Sequence, residues 1–453
     1  MSTTNFDLIA IGTGPAASTV AKKVREHGKE VAIIETREFG GTCALRGCNP
    51  KKVYTNAAGL VDQARRVNGK LARFSDIQID WAELLAFKET FTTPVKNRSE
   101  QSFQKKGIAT FHGAASFVGP AELQVGDQRL KAKRILVATG AQPAPLQFAG
   151  AEHLINSDQF LELAELPRRV LFIGGGYISL EFGHVAARYG AEVTIIERGE
   201  RILKGFDHDL VKQLAGWSAE NGVQILTHTK IRSVQRGSNG QFTISHEQQG
   251  QQKSFLADLV VHGAGRVPNL DGLNLEAGNI AYDATGIQVD PFMRSLSNPV
   301  VFAAGDCAAS GKPRLTPTAN EEARIVAKNL FAASPEAKPD YGAIPQVAFT
   351  TPAIAAVGLS EAAARDAGFQ LEIRHEDTSD WGSVRKQGQT CAGHKILIDA
   401  QTDQILGAHL LGPCAEETIN LFALAMKFKL TARDIKSTLF AFPTFAADVR
   451  KML

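Results

Sequence analysis

Two cysteines, Cys43 and Cys48, stand in the stretch GGTCALRGCNPKK, Gly40 to Lys52. Thiols at this spacing can hold a metal ion, form a structural bridge, or be oxidised and reduced during turnover. A structural zinc site needs four ligands, usually in two clustered pairs, and no second Cys/His cluster follows Cys48 nearby. A metal site is therefore disfavoured. Five cysteines in 453 residues do not make a disulfide framework, so the expected compartment is the reducing cytoplasm, where a static bridge is unfavourable. The redox reading also explains the neighbours. Cys48 opens an expected helix, NPKKVYTNAAGLVDQARRV, whose positive end stabilises a thiolate and lowers its pKa. The other three, Cys307, Cys391 and Cys414, read as small buried residues.

The elements that must position such a pair are those of a multi-domain α/β protein. The length implies two to four domains, and an apolar fraction of 44% with 41 glycines is that of a globular chain. A net charge of +3 is too small to argue for nucleic acid or an anionic membrane surface. No apolar run is long enough to span a bilayer, and the opening MSTTNFDLIAIG enters a strand without the layout of a signal peptide.

The start FDLIAIGTGPAASTVAKKVREHGKEVAIIE reads as strand, glycine turn, helix and a second strand ending in Glu35. Gly12 makes the turn, Gly14 lets backbone approach a pyrophosphate at the helix N-terminus, Ala17 is the third small position, and Glu35 can bind a ribose hydroxyl. The pattern recurs in RRVLFIGGGYISLEFGHVAARYGAEVTIIERGERILKGFD, with a strand Val170 to Ile173, Gly174 and Gly176, a helix, and a strand ending at Glu197. Two fingerprints mean two dinucleotide modules, one per cofactor. Between them RILVATGAQP ends a strand in a glycine turn, and later GAGRVPN does something similar. NPVVFAAGDCAAS delivers Asp306 to the C-terminal end of a strand, where ligands of open α/β sheets bind. LTPTANEEARIVAKNLF then starts a helix with Pro317 in its first turn. From about residue 338 the text reads as an antiparallel sheet followed by two helices, CAEETINLFALAMKF and TARDIKSTL.

These segments, with GTGPAA, ATGAQP, VFAAGDC and VAFTTPAIAAVGLSE, occur in the order found in one family. Over nearly its whole length the chain resembles the flavin-dependent pyridine nucleotide–disulfide oxidoreductases, the group of glutathione reductase, dihydrolipoamide dehydrogenase and mercuric reductase. The resemblance implies an α/β fold with two Rossmann-like dinucleotide-binding domains and a C-terminal α+β dimerisation domain. Residues 1–147 and 264–335 would form the FAD domain, 148–263 the NAD(P) domain and 336–453 the interface domain of a homodimer. It implies FAD contacts at Gly12, Gly14, Pro15, Ala16, Glu35, Gly41, Thr42, Lys51, Thr139, Gly140, Gly305, Asp306 and Thr316. NAD(P) would meet Gly174, Gly176, Tyr177, Ile178, Glu197, Arg198, Lys204 and Gly265.

The same resemblance assigns roles. Cys48 faces the flavin and takes its electrons; Cys43 is the outer thiol that attacks the substrate, and Cys48 resolves the mixed disulfide by thiol–disulfide exchange. Lys51 places positive charge near the flavin ring and pairs with Glu181, while Tyr177 covers the nicotinamide pocket. Asp306 contacts the ribityl chain, and the helix from Thr316 aims its N-terminus at the flavin pyrimidine carbonyl. For the nicotinamide nucleotide the signals conflict, and the expectation is NADPH with dual use open. Glu197 favours NADH by binding both ribose hydroxyls, but Arg198, Arg201 and Lys204 can grip a 2′-phosphate, which favours NADPH.

One segment leaves the family pattern. Disulfide reductases of this group end in a His-Pro-Thr-x-x-Glu segment whose imidazole deprotonates the outer thiol and protonates the departing one. Here the text is LFAFPTFAADVRKML, with Phe442 at the histidine position and Ala447 at the glutamate position. Pro443 and Thr444 remain, and no histidine follows His409. Positioned acid–base catalysis contributes roughly 10²–10⁴-fold, so expulsion of an alkyl thiolate should be slow. The expected enzyme therefore passes electrons from NAD(P)H through FAD and Cys43–Cys48 to a small disulfide with a good leaving group, near Phe442 and Pro443. Alternatives are a quinone, metal-ion or other acceptor, although the second C-terminal cysteine pair of mercuric reductases is missing, or a redox sensor without sustained turnover.

Overall fold

The computed structural model describes residues 3–453, so Met1 and Ser2 lie outside the described residues. The chain divides into two compact units. Among the described residues, the first comprises 3–50, 88–144 and 266–341, the second 51–87, 145–265 and 342–453.

The first unit is built on a seven-stranded sheet. Its parallel part runs Ala109–His112, Val31–Glu35, Thr3–Ile11 and Gln128–Val137, and Val301–Ala303 joins the last of these in parallel. Leu8 to Ile11 and Val31 to Ile34 are buried throughout, as expected of strands covered on both faces. The strands Ala115–Gly119 and Glu122–Val125 fold back antiparallel on the start of Gln128–Val137. The helix Pro15–Glu26 turns Ala16, Ala17, Val20, Ala21 and Val24 inward, the spacing of one helical face. That face and the strands share one continuous hydrophobic cluster.

The second unit holds three sheets. A four-stranded parallel sheet runs Val223–Leu226, Glu192–Ile196, Arg169–Ile173, Leu259–His262. An antiparallel meander follows, Thr229–Arg236, Phe242–Gln248 and Gln251–Ala257. The third sheet is antiparallel and five-stranded, in the order Gln346–Ala348, Ile354–Gly358, Ile405–Leu411, Gly393–Asp399, Leu371–Asp377. The helix Ala415–Lys427 closes a separate cluster over it through Ala415, Ile419, Phe422 and Ala425. No helix among the described residues is long and apolar enough to cross a membrane.

Cys307 and Cys391 are buried as the sequence reading has them, but Cys414 is only half-buried. It occupies a left-handed turn (φ +59°) at the N-terminus of the helix Ala415–Lys427, where the chain direction rather than core packing sets its exposure.

A buried ion cluster ties the helix Cys48–Val67 to the helix Tyr177–Tyr189. Asp62 accepts from Arg188 at 2.8 and 3.2 Å and from Arg66 at 2.7 Å, with Asp62 and Arg188 only 4% and 3% exposed. Removing the carboxylate leaves the buried Arg188 guanidinium without its anionic partner, and the less buried Arg66 loses the same partner. Asp62→Ala is expected to lower stability by about 3–5 kcal/mol in denaturant unfolding; a loss below about 1 kcal/mol would mean that the cluster behaves as a solvated surface pair.

Candidate active site

In the first unit, the strand Thr3–Ile11 ends at Gly12. Its φ is +102°, and a Cβ there would stand 2.4 Å from the Ala138 carbonyl oxygen, so glycine is required. Gly14 is the N-cap of the helix Pro15–Glu26 and no side chain caps that end. A Cβ on Gly14 would meet nothing within 4 Å, whereas one on Gly41 would strike Gly14 Cα at 2.4 Å. The first amides of the helix thus border a cradle kept clear of side chains, which suits a pyrophosphate. Glu35 is fixed at the end of its strand, accepting from Thr13 Oγ1 at 2.5 Å and from the amides of Thr36 and Arg37 at 2.9 and 3.1 Å. Thr13 Oγ1 in turn accepts from the Gly40 amide at 3.1 Å, tying the cysteine segment to the fingerprint turn.

The remaining first-unit positions gather at strand ends. Thr139 Oγ1 donates to Asn269 O at 2.6 Å, and Gly140 (φ +72°) has open space where a Cβ would stand. Gly305 donates its amide to Glu322 Oε2 at 2.7 Å, and Glu322, 1% exposed, also accepts from Tyr341 Oη at 2.9 Å. Burial pushes Asp306 above its ordinary value, with Arg266 and Arg314 pulling the other way. An open helix end, a clear glycine turn and carboxylates at two strand ends fit the pyrophosphate and sugar hydroxyls of FAD.

The cysteines sit on two helix starts. Cys43 lies on the short helix Gly41–Leu45, which Thr42 also joins, and Cys48 is the first residue of Cys48–Val67. Thr316, the first residue of Thr316–Asn329, donates Oγ1–H to Cys43 Sγ at 3.3 Å and lies 3.5 Å from Cys48 Sγ. In the single chain Cys43 is the more covered thiol and Cys48 the exposed one. A hydrogen bond with Cys48 and then burial push the Cys43 thiol up from 9.0, while Thr316 acts in the opposite sense. The first two disfavour a thiolate on Cys43, and the Thr316 contact favours it. No group of three or more His, Cys, Asp or Glu that could hold a metal ion occurs among the described residues.

In the second unit the first fingerprint's geometry is repeated. Gly174 has φ +102° and a Cβ there would lie 2.5 Å from Ala264 Cα; Gly176 is the uncapped N-cap of Tyr177–Tyr189; Gly265 has φ +103°. Tyr177 and Ile178 open that helix, with Tyr177 43% exposed. Glu197 directly follows the strand Glu192–Ile196 and turns back on its own loop. Its oxygens accept from the amides of Gly175 at 2.8 Å and Gly199 at 2.7 Å, and Lys204 Nζ stands 3.7 Å away. Arg198 is exposed, and Arg201 donates to Lys204 O at 3.3 Å.

Glu181, 1% exposed, receives Lys51 at 2.9 Å and Lys52 at 2.8 Å on Oε2, and the Phe349 amide at 2.9 Å on Oε1. Sequence reasoning pairs it with Lys51 alone. Consecutive helix residues point in different directions, so nothing local signals that Lys52 also converges. Lys51 Nζ lies 4.4 Å from the Tyr177 ring centroid and Lys52 Nζ 3.8 Å from that of Phe349. At the C-terminus the Phe442–Pro443 bond is cis, Phe442 is 83% exposed, and Thr444 accepts from the Ala447 amide at 3.1 Å.

Burial alone would raise Glu181, but Lys51 and Lys52 hold it below 4.5. A depressed carboxyl contributes stability that is complete above the unfolded value and is lost as pH falls through the folded one. The thermal midpoint of the wild type over Glu181→Gln should thus be constant from neutrality down to about pH 4.5 and shrink below it; a gap independent of pH would contradict the ion pairing.

Comparison with known proteins agrees with this geometry. Residues 6–323 match the pyridine nucleotide–disulphide oxidoreductase family and residues 344–453 its dimerisation domain. A glutathione reductase of Burkholderia cepacia is 32% identical over 446 residues, 98% of this chain and 97% of that protein. A mercuric reductase of Staphylococcus aureus is 31% identical over 450 residues, 98% of this chain and 81% of that protein. In fold, the chain is similar to a solved structure, the Cu(II) complex of the HOCl-induced flavoprotein disulfide reductase RclA from Escherichia coli. The TM-score is 0.88 at 24% identity, over 100% of this chain and 99% of that one. With both its sequence and its dimerisation region matched, the chain belongs to the pyridine nucleotide–disulphide oxidoreductases and is an NAD(P)H-dependent flavoprotein oxidoreductase of that family.

Proposed function

We propose that this enzyme reduces a small disulfide with a good leaving group, the electron pair from NAD(P)H arriving at the Cys43–Cys48 disulfide and leaving from Cys43. The observation that carries the reading is the contact of both sulfurs with one hydroxyl, Thr316, in the unit that also holds the glycine cradle. FAD, when bound, supplies a ring that accepts hydride from a nicotinamide and delivers electrons to sulfur. The chain does the rest. Gly12, Gly14, Pro15, Ala16, Gly41 and Thr42 would hold the pyrophosphate side, Glu35 the ribose, and Thr139, Gly140, Gly305, Asp306 and Thr316 the remainder. Lys51, as in the family, would present its amine to the ring, with Glu181 and Lys52 fixing it.

For the nucleotide, Gly174, Gly176, Tyr177, Ile178 and Gly265 would form the dinucleotide turn and its cover. The Glu197 carboxylate already accepts two backbone amides and faces Lys204. Its repulsion of a 2′-phosphate is thereby blunted, and with Arg198 beside it we assign NADPH as the preferred donor, with NADH usable. We assign residues 1–147 and 264–335 to FAD, 148–263 to the nicotinamide nucleotide, and 336–453 to a homodimer interface. Leu424, Phe428, Leu430 and Leu439, all exposed in the single chain, support that interface. Phe442 and Pro443 would line the acceptor pocket.

Acceptor choice follows from proton supply. With Phe442 and Ala447 in place of an imidazole and its orienting carboxylate, the departing sulfur must leave as a thiolate, and a thiol of low pKa does so fastest. An aromatic disulfide should be reduced about 10²-fold or more faster than glutathione disulfide. Phe442→His alone should restore little glutathione turnover, because Ala447 leaves the new ring unoriented. Cys43→Ser should abolish reduction of every disulfide; a variant that keeps it would transfer the reading to direct reduction of acceptors at the flavin.

A further inference from the structure

The missing imidazole leaves a question that the geometry answers. Cys43 must lose a proton before it can attack a disulfide, because the thiolate is the nucleophile. Both burial and its hydrogen bond with Cys48 work against that loss. One side chain is placed to help. Thr316 Oγ1 donates to Cys43 Sγ at 3.3 Å and is 3.5 Å from Cys48 Sγ. A hydroxyl has a single hydrogen and two lone pairs. With that hydrogen committed to Cys43, the donor in the second contact is the Cys48 S–H. The three groups form a directed chain, Cys48 to Thr316 to Cys43, with the acceptor end on Cys43.

The position of Thr316 suits the task. It is the first residue of a helix of 14 residues whose N-cap, Leu315, makes no side-chain cap bond. Negative charge beside the first turn of such a helix is favoured. Oxygen is also a better hydrogen-bond partner than sulfur in both directions, so the hydroxyl is a stronger link between the two thiols than their own mutual contact.

We propose that Thr316 is a catalytic residue of the dithiol, stabilising the thiolate on Cys43 and passing the proton between the two sulfurs where the family uses an imidazole. The inference rests on the redox role assigned to the pair above. In the transfer, which starts with the thiolate on Cys48 and the Thr316 hydroxyl turned to it, Cys43 gives its proton to Thr316 Oγ1 as Thr316 gives its own to Cys48; the chain then runs Cys48 S–H to Thr316 to Cys43 S⁻, the direction described above. The thiolate moves from Cys48 to Cys43, no electrons are exchanged, and the net charge is unchanged. Cys43 S⁻ then attacks the substrate S–S bond, forming a mixed disulfide and expelling one thiolate. Cys48 loses its proton to water or to a departing sulfur and attacks Cys43 Sγ, closing the Cys43–Cys48 disulfide and expelling the second thiolate. The relay moves one proton within the pair and brings none from outside, so preference for a stable departing thiolate persists.

The test is alkylation of the reduced protein by iodoacetamide as a function of pH, read by mass spectrometry. Arg46 lies between the two cysteines, so tryptic peptides report each separately. Wild type, Thr316→Ser, Thr316→Val and Thr316→Ala are compared, with thermal unfolding as the folding control. Thr316→Val and Thr316→Ala should slow Cys43 alkylation at neutral pH by about tenfold and move its midpoint to higher pH, while Thr316→Ser keeps the wild-type profile. An unchanged Cys43 profile in folded Thr316→Val or Thr316→Ala, or a Thr316→Ser profile displaced as far as theirs, overturns the proposal. The redox reading is judged separately. If Cys43→Ser still reduces disulfides, that reading fails whatever the alkylation profiles show.

Discussion

A helix start leaves several backbone N–H groups without partners, and most proteins fill that need with a side chain from the N-cap residue, worth about 1 kcal/mol. This chain does so at Asn156, Asp207, Ser360, Thr431 and Thr444. At Gly14, Gly176 and Leu315 it does not, nor at Gly40, Trp381 and Cys414. The first two are glycines at strand-to-helix turns, and Leu315 precedes the threonine that touches both sulfurs. Amide ends left open in this way favour negative charge, whether on phosphate oxygens or on a thiolate. The strands exist to deliver these ends. Gly12 and Gly174 share a φ of +102° because each must pass its chain from a buried strand into such a helix against a neighbouring backbone.

The second unit adds a charge arrangement of a different kind. A carboxylate 99% removed from solvent would be costly alone. Glu181 is held by two ammonium groups and an amide, and so keeps its charge. Two cations on one anion leave the cluster with a net positive charge, next to the Tyr177 ring. Glu197 shows the reverse case: its charge is absorbed by its own loop, and the carboxylate that reads as a selector for NADH is partly neutralised before any nucleotide arrives.

What was legible in the sequence was what is local. Gly12, Gly14 and Glu35, and their counterparts Gly174, Gly176 and Glu197, are recognisable because strand, turn and helix follow one another within one short stretch. The dithiol helix and the start at Thr316 were readable for the same reason. The partners of Glu181 were half readable: Lys51 by family likeness, Lys52 and Phe349 not at all, since only folding brings residues 52, 181 and 349 together. The contact of Thr316 with the cysteines spans 273 and 268 positions and leaves no local trace. The helix Trp81–Lys105 escaped because Pro94 inside it reads as a breaker and its apolar residues do not gather into one stripe. Residue type alone predicts burial for Cys414, which instead sits half-buried in a left-handed turn.

The proposed reaction needs the cysteine pair as a store of electrons. The most direct test is anaerobic reduction of the purified flavoprotein with a measured amount of reductant. Wild type should take up one electron pair more than its bound flavin accounts for, and a Cys43→Ser, Cys48→Ser double variant with the same flavin content should take up only the flavin's share. Equal uptake by the two proteins would show that the sulfurs do not store the electrons, and the account would fail.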